Sequence, residues 1–367
     1  MAEKLKLGIL YGGRSGEHEV SLMSARSVLS VIDRQKYDVI EIGITRNGQW
    51  FVGENLWTQL KNEDYEGLIP AFLHPWPQEP GLYVQENGSM TLYATLDVVF
   101  PVMHGTYSED GTLQGLLELA DIAYVGAGVL GSAACMDKGL FKDIMNANDI
   151  PTLPHKVFNR TTLHLEMEEC LTQAETIAPY PLFTKPANLG SSVGINKCTS
   201  RSDLMEGMME AALYDRRILV EKGVRSAREI EVSVLGNETP KASIPGEVIP
   251  KDIFYTYKEK YINDTAELII PAPISAELVS NVQTFAIGAY KATDCAGMAR
   301  VDFLLDRESD ELYLNEINTI PGFTKISMYP KLWEASGLPY PALIEQLIEL
   351  ALARKTQRDA TIREFRG

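Results

Sequence analysis

The chain has 367 residues, 45% of them hydrophobic and 23% charged, enough for two or three globular domains each with its own core. Its formal net charge of −16 excludes a protein that coats nucleic acid, because phosphate backbones are held by clustered Lys and Arg; any polyanion bound here is expected to be small, local and metal-bridged. Cys135, Cys170, Cys198 and Cys295 have neither zinc-site spacing nor the density of a disulfide framework, no run is long enough to span a bilayer, and Met1 to Lys6 lacks a signal-peptide core, so a soluble protein of the reduced cytoplasm is expected.

In chain order, Leu5 to Tyr11 reads as a buried strand, Gly12-Gly13 as a turn and Val20 to Ile32 as a helix with apolar residues at helical spacing. Buried strands follow at Tyr37 to Ile44 and Leu96 to Met103, the second running into His104-Gly105-Thr106 and a helix from Thr112 to Ala120. Between them, Ile69 to Gly81 is rich in Pro and aromatics and reads as a surface excursion. A helical pattern from Gly131 to Asn146, carrying Lys138 and stopped near Pro151, leaves this first α/β unit. Tyr180 to Ala187 is a strand bearing Lys185, followed by the small-residue loop Asn188 to Gly194, a helix around Ser202 to Leu213 and an apolar strand Ile218 to Val220 that ends in Glu221-Lys222-Gly223-Val224. The last third holds a strand from Glu229 to Leu235, a loop from Lys251 to Asp264 where Lys alternates with Phe and Tyr, a hairpin from Arg300 to Asn318, and helices at Met328 to Ala335 and Tyr340 to Arg354. There is no internal repeat.

Two of these segments carry chemistry. On a strand, residues i and i+2 face the same way, so Arg300 with Asp302, and Glu316 with Asn318, each share a face, and pairing the two runs gathers Asp302, Glu316 and Asn318 around one point. Oxygen ligands without His or Cys suit a hard ion such as Mg²⁺, which takes one or two carboxylates and shares substrate phosphates. Alternating charges also describe a solvated strand face, and Arg300 beside Asp302 also describes a structural ion pair. The second segment needs the same ligand: glycines and serines in Asn188 to Gly194 let backbone N–H groups close on phosphate oxygens while Lys185 supplies a point charge. This is not a Walker A loop, which requires Gly-Lys-Ser/Thr entering a helix, and many Gly/Ser loops are only turns. Nor does Gly12-Gly13-Arg14-Ser15-Gly16 have the spacing of a dinucleotide fingerprint.

Taken together, these landmarks resemble the ATP-grasp enzymes and, more narrowly, the D-alanine:D-alanine ligases of bacterial peptidoglycan synthesis, over nearly the whole chain. The resemblance rests on Gly12 to Ser21, His104-Gly105 with Glu109 to Gly115, Met136-Asp137-Lys138, Lys185-Pro186 with Gly190 to Gly194, Lys260-Tyr261, Arg300-Val301-Asp302, and Asn315 to Asn318 with Pro321-Gly322. The excursion before Gly81 is similar to that of the longer members. The resemblance implies three α/β domains: an N-terminal Rossmann-like (pre-ATP-grasp) substrate-binding domain, residues 1–137, then a two-lobed ATP-grasp module with a central lobe, 138–225, for phosphate loop and adenine hinge, and a C-terminal lobe, 226–367, for mobile loop, Mg²⁺ site and second substrate site. It further implies a cytoplasmic homodimer built largely on the first domain, with no nucleic-acid or membrane partner.

The chemistry implied is activation of the first D-alanine carboxylate by the γ-phosphoryl of ATP and displacement of phosphate by the amine of a second D-alanine. By resemblance, Asp302, Glu316 and Asn318 hold two Mg²⁺ ions, for which Mn²⁺ can substitute. Lys138 and Lys185 take the α and β phosphates, and Lys260 approaches the γ phosphate from the loop. Arg300 and the backbone N–H of Gly322 stabilise the transferring phosphoryl group and the tetrahedral oxyanion. Glu221, Lys222 and Val224 form the adenine hinge, although the same Glu-Lys strand end also reads as a solvated edge, and Glu229 takes the ribose. Glu17 binds the first D-alanine ammonium with His104 beside it, although a lone histidine there also reads as a hydrogen-bonded loop residue. Ser327 and the backbone of Met328 grip the second carboxylate.

Phe254, Tyr255, Tyr257 and Tyr261 interleave with Lys251, Lys258 and Lys260 in a stretch without strand or helix period. It reads as a lid that excludes water from an acyl phosphate and delivers Lys260 when nucleotide is present; the acidic chain disfavours a nucleic-acid patch. By resemblance Ser191, Tyr261 and Glu17 tie this loop across the site, and Tyr261 favours an amine over a D-lactate acceptor. Another ATP-grasp carboxylate:amine ligase, or an ATP-binding regulatory protein without turnover, shares the nucleotide site; Glu17 to Ser21 and Tyr261 argue against the first, and the presence of every metal ligand and of the arginine argues against the second. Only mild departures occur, such as Ala299 before Arg300, where some relatives have glycine.

Overall fold

The computed structural model describes residues 4–86, 88–249 and 267–362. The first sheet is built from β1 (Leu5–Gly12), α1 (His18–Leu29), β2 (Tyr37–Ile44), β3 (Trp50–Val52), α2 (Leu56–Asn62), β4 (Ile69–Leu73), β5 (Gly81–Glu86), β6 (Ser89–Thr95), β7 (Val98–Pro101), α3 (Thr112–Leu119) and β8 (Ala123–Tyr124). Its strand order is β6-β5-β4-β3-β2-β1-β7-β8. The stretch β2-β1-β7-β8 is parallel, and β1, buried from Leu7 onward, lies between β2 and β7 as its near-continuous apolar run requires. The chain goes to one side of β1 and returns on the other, so the carboxyl ends of β1 and β7 form a switch-point crevice from which the loops bearing Glu17 and His104 emerge. Gly12 makes the exit possible: it sits at φ +91°, and a Cβ there would lie 2.1 Å from the Ile44 carbonyl oxygen.

The excursion expected over Ile69 to Gly81 is loop from 74 to 80 and strand at its two ends. β3 to β6 extend the parallel core as an antiparallel ribbon, leaving a loop only between β4 and β5. β3 and β4 are short and β6 is exposed along nearly all its length, so of these strands only β5, buried from Gly81 to Val84, carries a run.

The single helix expected from Gly131 to Asn146 is two, α4 (Val129–Met136) and α5 (Lys138–Ala147), broken where Asp137 caps α5 by accepting the N–H groups of Gly139 and Leu140. Next come β9 (His155–Asn159), α6 (Arg160–Leu165), α7 (Met167–Glu175), β10 (Leu182–Pro186), β11 (Asn196–Cys198), α8 (Arg201–Tyr214) and β12 (Arg217–Lys222), whose strands form an antiparallel sheet in the order β11-β10-β12-β9. The third sheet contains β13 (Ala227–Gly236), β14 (Lys241–Ala242), β15 (Gly246–Ile249), β16 (Glu267–Ile269), β17 (Gly297–Asp306) and β18 (Leu312–Asn318). It is antiparallel, in the order β16-β15-β13-β17-β18, with β14 beside β13. Helix α9 (Ala276–Ala292), absent from the sequence expectations, packs on it through Val282, Ala286 and Ala289, and α5 contributes Phe141 and Met145 to the same core. Helices α10 (Met328–Ala335) and α11 (Tyr340–Asp359) return to the first sheet, where Tyr329, Leu343 and Leu347 join Leu7, Ile9 and Tyr11 in one core. The last sheet is thereby fixed against the first, with the loop after β18 between them. Among the described residues no helix is long and apolar enough to cross a membrane.

Candidate active site

Two cavities meet in this crevice. The smaller, about 50 Å³, lies between the first and third sheets and is lined by Glu17, His104, Glu109, Arg300, Asn318 and Gly322 among others. The larger, about 490 Å³, lies between the second and third sheets, and Lys185, Glu221, Val224, Glu229 and Asp302 contribute to its wall. Lys138, Ser191 and Glu316 line both.

Around the smaller cavity the side chains are fixed by backbone groups. His104 is buried, with Nδ1 3.0 Å from the Ile320 carbonyl oxygen and Nε2 3.0 Å from Ser24 Oγ. A carbonyl can only accept, so Nδ1 carries the proton and Nε2 accepts from the serine; Ser24 Oγ in turn accepts the N–H of Phe323 at 3.2 Å. Burial lowers the His104 pKa to about 4, outweighing the Ile320 bond, so the ring is neutral at pH 7. Glu109 accepts the N–H groups of Gly105 at 2.7 Å and Ile320 at 3.1 Å, and burial, with the charge of Glu17 next, pushes it up to about 8. These bonds pin the segment from Ile320 to Phe323, and hence Gly322, to the loop after β7. Glu17 receives a hydrogen bond from the Ser191 hydroxyl, which joins the first unit to the phosphate loop. Gly105, at φ +78°, leaves the space Glu17 needs: a Cβ there would lie 2.5 Å from Glu17 Oε2. Ser15 Oγ completes the turn by donating to the His104 carbonyl and accepting the Glu17 N–H.

Around the larger cavity the side chains are fixed by one another's charges. Glu221, at the end of β12, has Lys185 Nζ 2.5 Å from Oε1 and Lys142 Nζ 3.0 Å from Oε2. Burial alone would raise the Glu221 pKa, but Lys142 and then Lys185 outweigh it and bring it down to about 2. Burial also pulls both lysines down; Lys142 ends below its ordinary value and Lys185, with Glu221 in closer contact, ends above it. Lys138 Nζ lies 3.3 Å from Glu316 Oε2 and donates to the Leu189 carbonyl at 2.9 Å, while its backbone N–H bonds the Ala187 carbonyl at 2.9 Å. Asp137, besides capping α5, accepts from Asn188 at 3.1 Å and pairs with Arg217, so one side chain sets both the start of α5 and the root of the phosphate loop. In that loop Ser191 and Ser192 sit at φ +55° and +57°, a left-handed conformation that serine adopts at a cost, in a turn closed by the Val193 N–H on the Gly190 carbonyl at 3.3 Å.

The third element is the β17–β18 hairpin, where Asp302 lies directly opposite Glu316 and Arg300 opposite Asn318. Two carboxylates facing each other repel, so this register requires a cation between or beside them. Arg300 supplies one with a fork onto Asp302, Nε to Oδ1 2.7 Å and Nη2 to Oδ2 2.6 Å, and Lys138 supplies another to Glu316. Arg300 Nε is also 3.0 Å from Glu231 Oε2 on β13, and Asn318 donates to Asp302 at 3.0 Å. The ion-pair reading of Arg300 and Asp302 therefore holds geometrically. Asp302, Glu316 and Asn318 also lie close together on the hairpin, the two carboxylates being neutralised here by Arg300 and Lys138.

Of the residues expected from sequence, Glu17, His104, Lys138, Lys185, Ser191, Glu221, Lys222, Val224, Glu229, Arg300, Asp302, Glu316, Asn318 and Gly322 come together around these two cavities. Ser327 and Met328 line neither: Ser327 bonds Thr324, and Met328 packs with Val248 and Leu332 at the start of α10. Lys260, Tyr261 and the rest of the expected lid, Lys251 to Asp264, lie outside the described residues. Ser24, Glu109, Lys142 and Glu231 belong to the same networks without having been singled out. Glu109 stands inside a quoted motif, and Lys142 carried a signal of its own, a charge one helical turn beyond Lys138 on the face that also bears Phe141 and Met145.

Comparison with known proteins shows the family of the chain. Residues 6–127 match the family description "D-ala D-ala ligase N-terminus" and residues 144–349 match "D-ala D-ala ligase C-terminus". The chain is 48% identical over 362 residues to a D-alanine–D-alanine ligase of Heliobacterium modesticaldum, covering 98% of each, and 45% identical to one of Natranaerobius thermophilus, covering 99% of each. Among solved structures it is similar to the D-alanine–D-alanine ligase of Coxiella burnetii, with TM-score 0.83, 36% identity, and 98% of this chain and 97% of that one covered. It is also similar to a D-Ala:D-Ser ligase of Enterococcus faecalis, with TM-score 0.85, 34% identity, and 95% of this chain and 100% of that one covered.

Proposed function

Since this chain belongs to the D-alanine–D-alanine ligase family and is an ATP-dependent ligase that joins two D-alanines, we propose that the join runs through a D-alanyl phosphate formed where the two cavities meet. The observation that carries this is the shared wall of Lys138, Ser191 and Glu316, which makes the end of the larger cavity the floor of the smaller one. A nucleotide lying along the larger cavity would bring its terminal phosphate to that wall, beside an amino acid held by Glu17.

The residue roles follow from the charges. Glu17 takes the ammonium of the first D-alanine, and neutral His104 gives a shaped wall without adding charge. The amino acid's carboxylate oxygen attacks the γ-phosphorus, the bond to the β-bridging oxygen breaks, and ADP leaves. The free amine of the second D-alanine attacks the resulting carbonyl, the tetrahedral oxyanion collapses with loss of phosphate, and the surplus proton departs. Both steps gather negative charge beside Arg300 and the Gly322 N–H, which the Glu109 and Ser24 bonds hold in position.

Lys138 and Lys185 meet the α and β phosphates and Lys260 the γ; Glu221, Lys222 and Val224 bound the adenine, and Glu229 the ribose. The family uses a divalent metal, and Asp302, Glu316 and Asn318 are the residues to hold it, as two Mg²⁺ ions that Mn²⁺ can replace; bound there, it neutralises phosphate oxygens. Ser327 and the Met328 backbone receive the second carboxylate, Ser191 and Tyr261 with Glu17 close the lid, and Tyr261 favours an amine acceptor. The working units are residues 1–137, 138–225 and 226–367, in a homodimer joined through the first, making a peptidoglycan precursor in the cytoplasm. Incubation with ATP, Mg²⁺ and D-alanine, L-alanine or D-alanine plus D-lactate, with mass spectrometry of the products, tests the acceptor. D-alanyl-D-alanine in step with ADP is expected, and a preponderance of D-alanyl-D-lactate would overturn the role of Tyr261.

A further inference from the structure

Lys142 is a lysine with no ligand to meet. Its side chain is 1% exposed, it lines neither cavity, and among the described residues its ion pair is with Glu221, whose side chain is 2% exposed. Lys185 binds the same carboxylate from the cavity side. Two ammonium groups converge on one buried carboxylate in a low-dielectric place, with Glu316 the other acid acting on both and Glu229 acting on Lys185 as well. A fold needing only a neutral core would have one lysine, or none.

The arrangement makes sense as an exchange. In the structure Lys185 is committed to Glu221, 2.5 Å away, and to Asn315 Oδ1 at 3.4 Å. If Lys185 turns to a phosphate, Glu221 loses its closer partner while remaining buried, and an uncompensated buried carboxylate opposes the move strongly. Lys142, one turn along α5 from Lys138, prevents this, because it stays on Oε2 whichever partner Lys185 takes.

We propose that Lys142 is a positioning residue for nucleotide binding: a permanently seated cation that keeps Glu221 compensated and so lets Lys185 pass from Glu221 to the phosphates of ATP. The inference rests on the reading of Lys185 as a phosphate ligand. Without Lys142, Lys185 stays on Glu221, and the nucleotide loses one charge-assisted hydrogen bond, which corresponds to about 10- to 100-fold in affinity. Because Glu221 also begins the hinge, the backbone beside the adenine is held by the same contact.

The test is a double-mutant cycle on the full chain, read as KM for ATP, KM for D-alanine and kcat, with Mg²⁺-ADP binding by calorimetry. Lys142→Met should raise KM for ATP and weaken ADP about 10- to 100-fold while KM for D-alanine stays within about threefold, and Lys142→Arg should recover most of the loss. In a Glu221→Gln background, where no carboxylate holds Lys185, Lys142→Met should have no further effect on ATP; this comparison also stands if the single variant fails to fold. An undiminished effect of Lys142→Met in that background, or parallel losses for ATP and D-alanine, would overturn the proposal. Lys185→Met separates it from the reading beneath: unchanged ATP affinity there would remove Lys185 as a phosphate ligand, whereas a loss there with none in Lys142→Met would remove only the role of Lys142.

Discussion

At the amino-acid end of the crevice, His104 commits both ring nitrogens and Glu109 both carboxylate oxygens to Ser24 or the backbone. In the nucleotide cavity and along the boundary between the two, Lys185, Lys138 and Arg300 are held by carboxylates: Glu221, Glu316, and the pair Asp302 and Glu231. Bonds to the backbone fix geometry and do not exchange, so the first end is built before substrate arrives. Ion pairs between side chains exchange when a more highly charged ligand competes, so the second end stays self-neutralised until ATP and metal supply opposite charge. The cleft can therefore be stable while empty, although it gathers enough positive charge to bind a triphosphate.

The contrast is sharpest at Arg300. Arg300→Met should lower kcat about 10²- to 10³-fold, the scale of losing one oxyanion donor; coupled ADP release measures it, and a loss under about tenfold would place the guanidinium away from the reacting atoms. Asp302→Asn comes next. It removes an oxygen proposed to hold the metal, so the Mg²⁺ concentration for half-maximal rate should rise by at least the 10- to 100-fold typical of losses around a metal site, with KM for D-alanine little changed. The amino-acid end should behave in the opposite way. Ser24→Ala leaves His104 Nε2 and the Phe323 N–H without their shared hydroxyl, which should cost about 1–3 kcal/mol in urea unfolding and raise KM for D-alanine but not for ATP. A rise in both would merge the two ends into one.

The smallest effect is a pH trend. The folded chain keeps Glu109 protonated up to about 8 against an ordinary 4.5, so folding takes up a proton between those values. The stability this contributes is complete below pH 4.5 and is lost as pH rises toward 8. Glu109→Gln should flatten that decline in thermal melts, and an unchanged slope would assign it elsewhere.

The reacting end of the fold was legible because it is written in local rules. Alternation alone put Glu316 and Asn318 on one face, and the link Asp306 to Asp310 predicted the hairpin that brings Asp302 opposite Glu316. The ion-pair reading of Arg300 and Asp302 describes the contact seen. What stayed hidden depends on long-range partners: nothing near Lys142 announces Glu221, 79 positions on, nor does Glu109 announce the Ile320 N–H. The break at Asp137 is masked because the residues on either side continue one helical pattern, β3 and β4 are too short for periodicity to show, and β6 is too exposed. Helix α9 was legible, with Ser275 accepting the Leu278 N–H at its start and Val282, Ala286 and Ala289 at helical spacing, but it bears no chemistry to draw notice.

The central claim, that an amino-acid carboxylate oxygen meets the γ-phosphorus where the cavities join, can be tested with one isotope measurement. D-alanine labelled with ¹⁸O in its carboxylate should yield inorganic phosphate carrying one ¹⁸O for each D-alanyl-D-alanine formed, because the oxygen that attacks phosphorus leaves with it. Dipeptide formation with unlabelled phosphate would contradict the account.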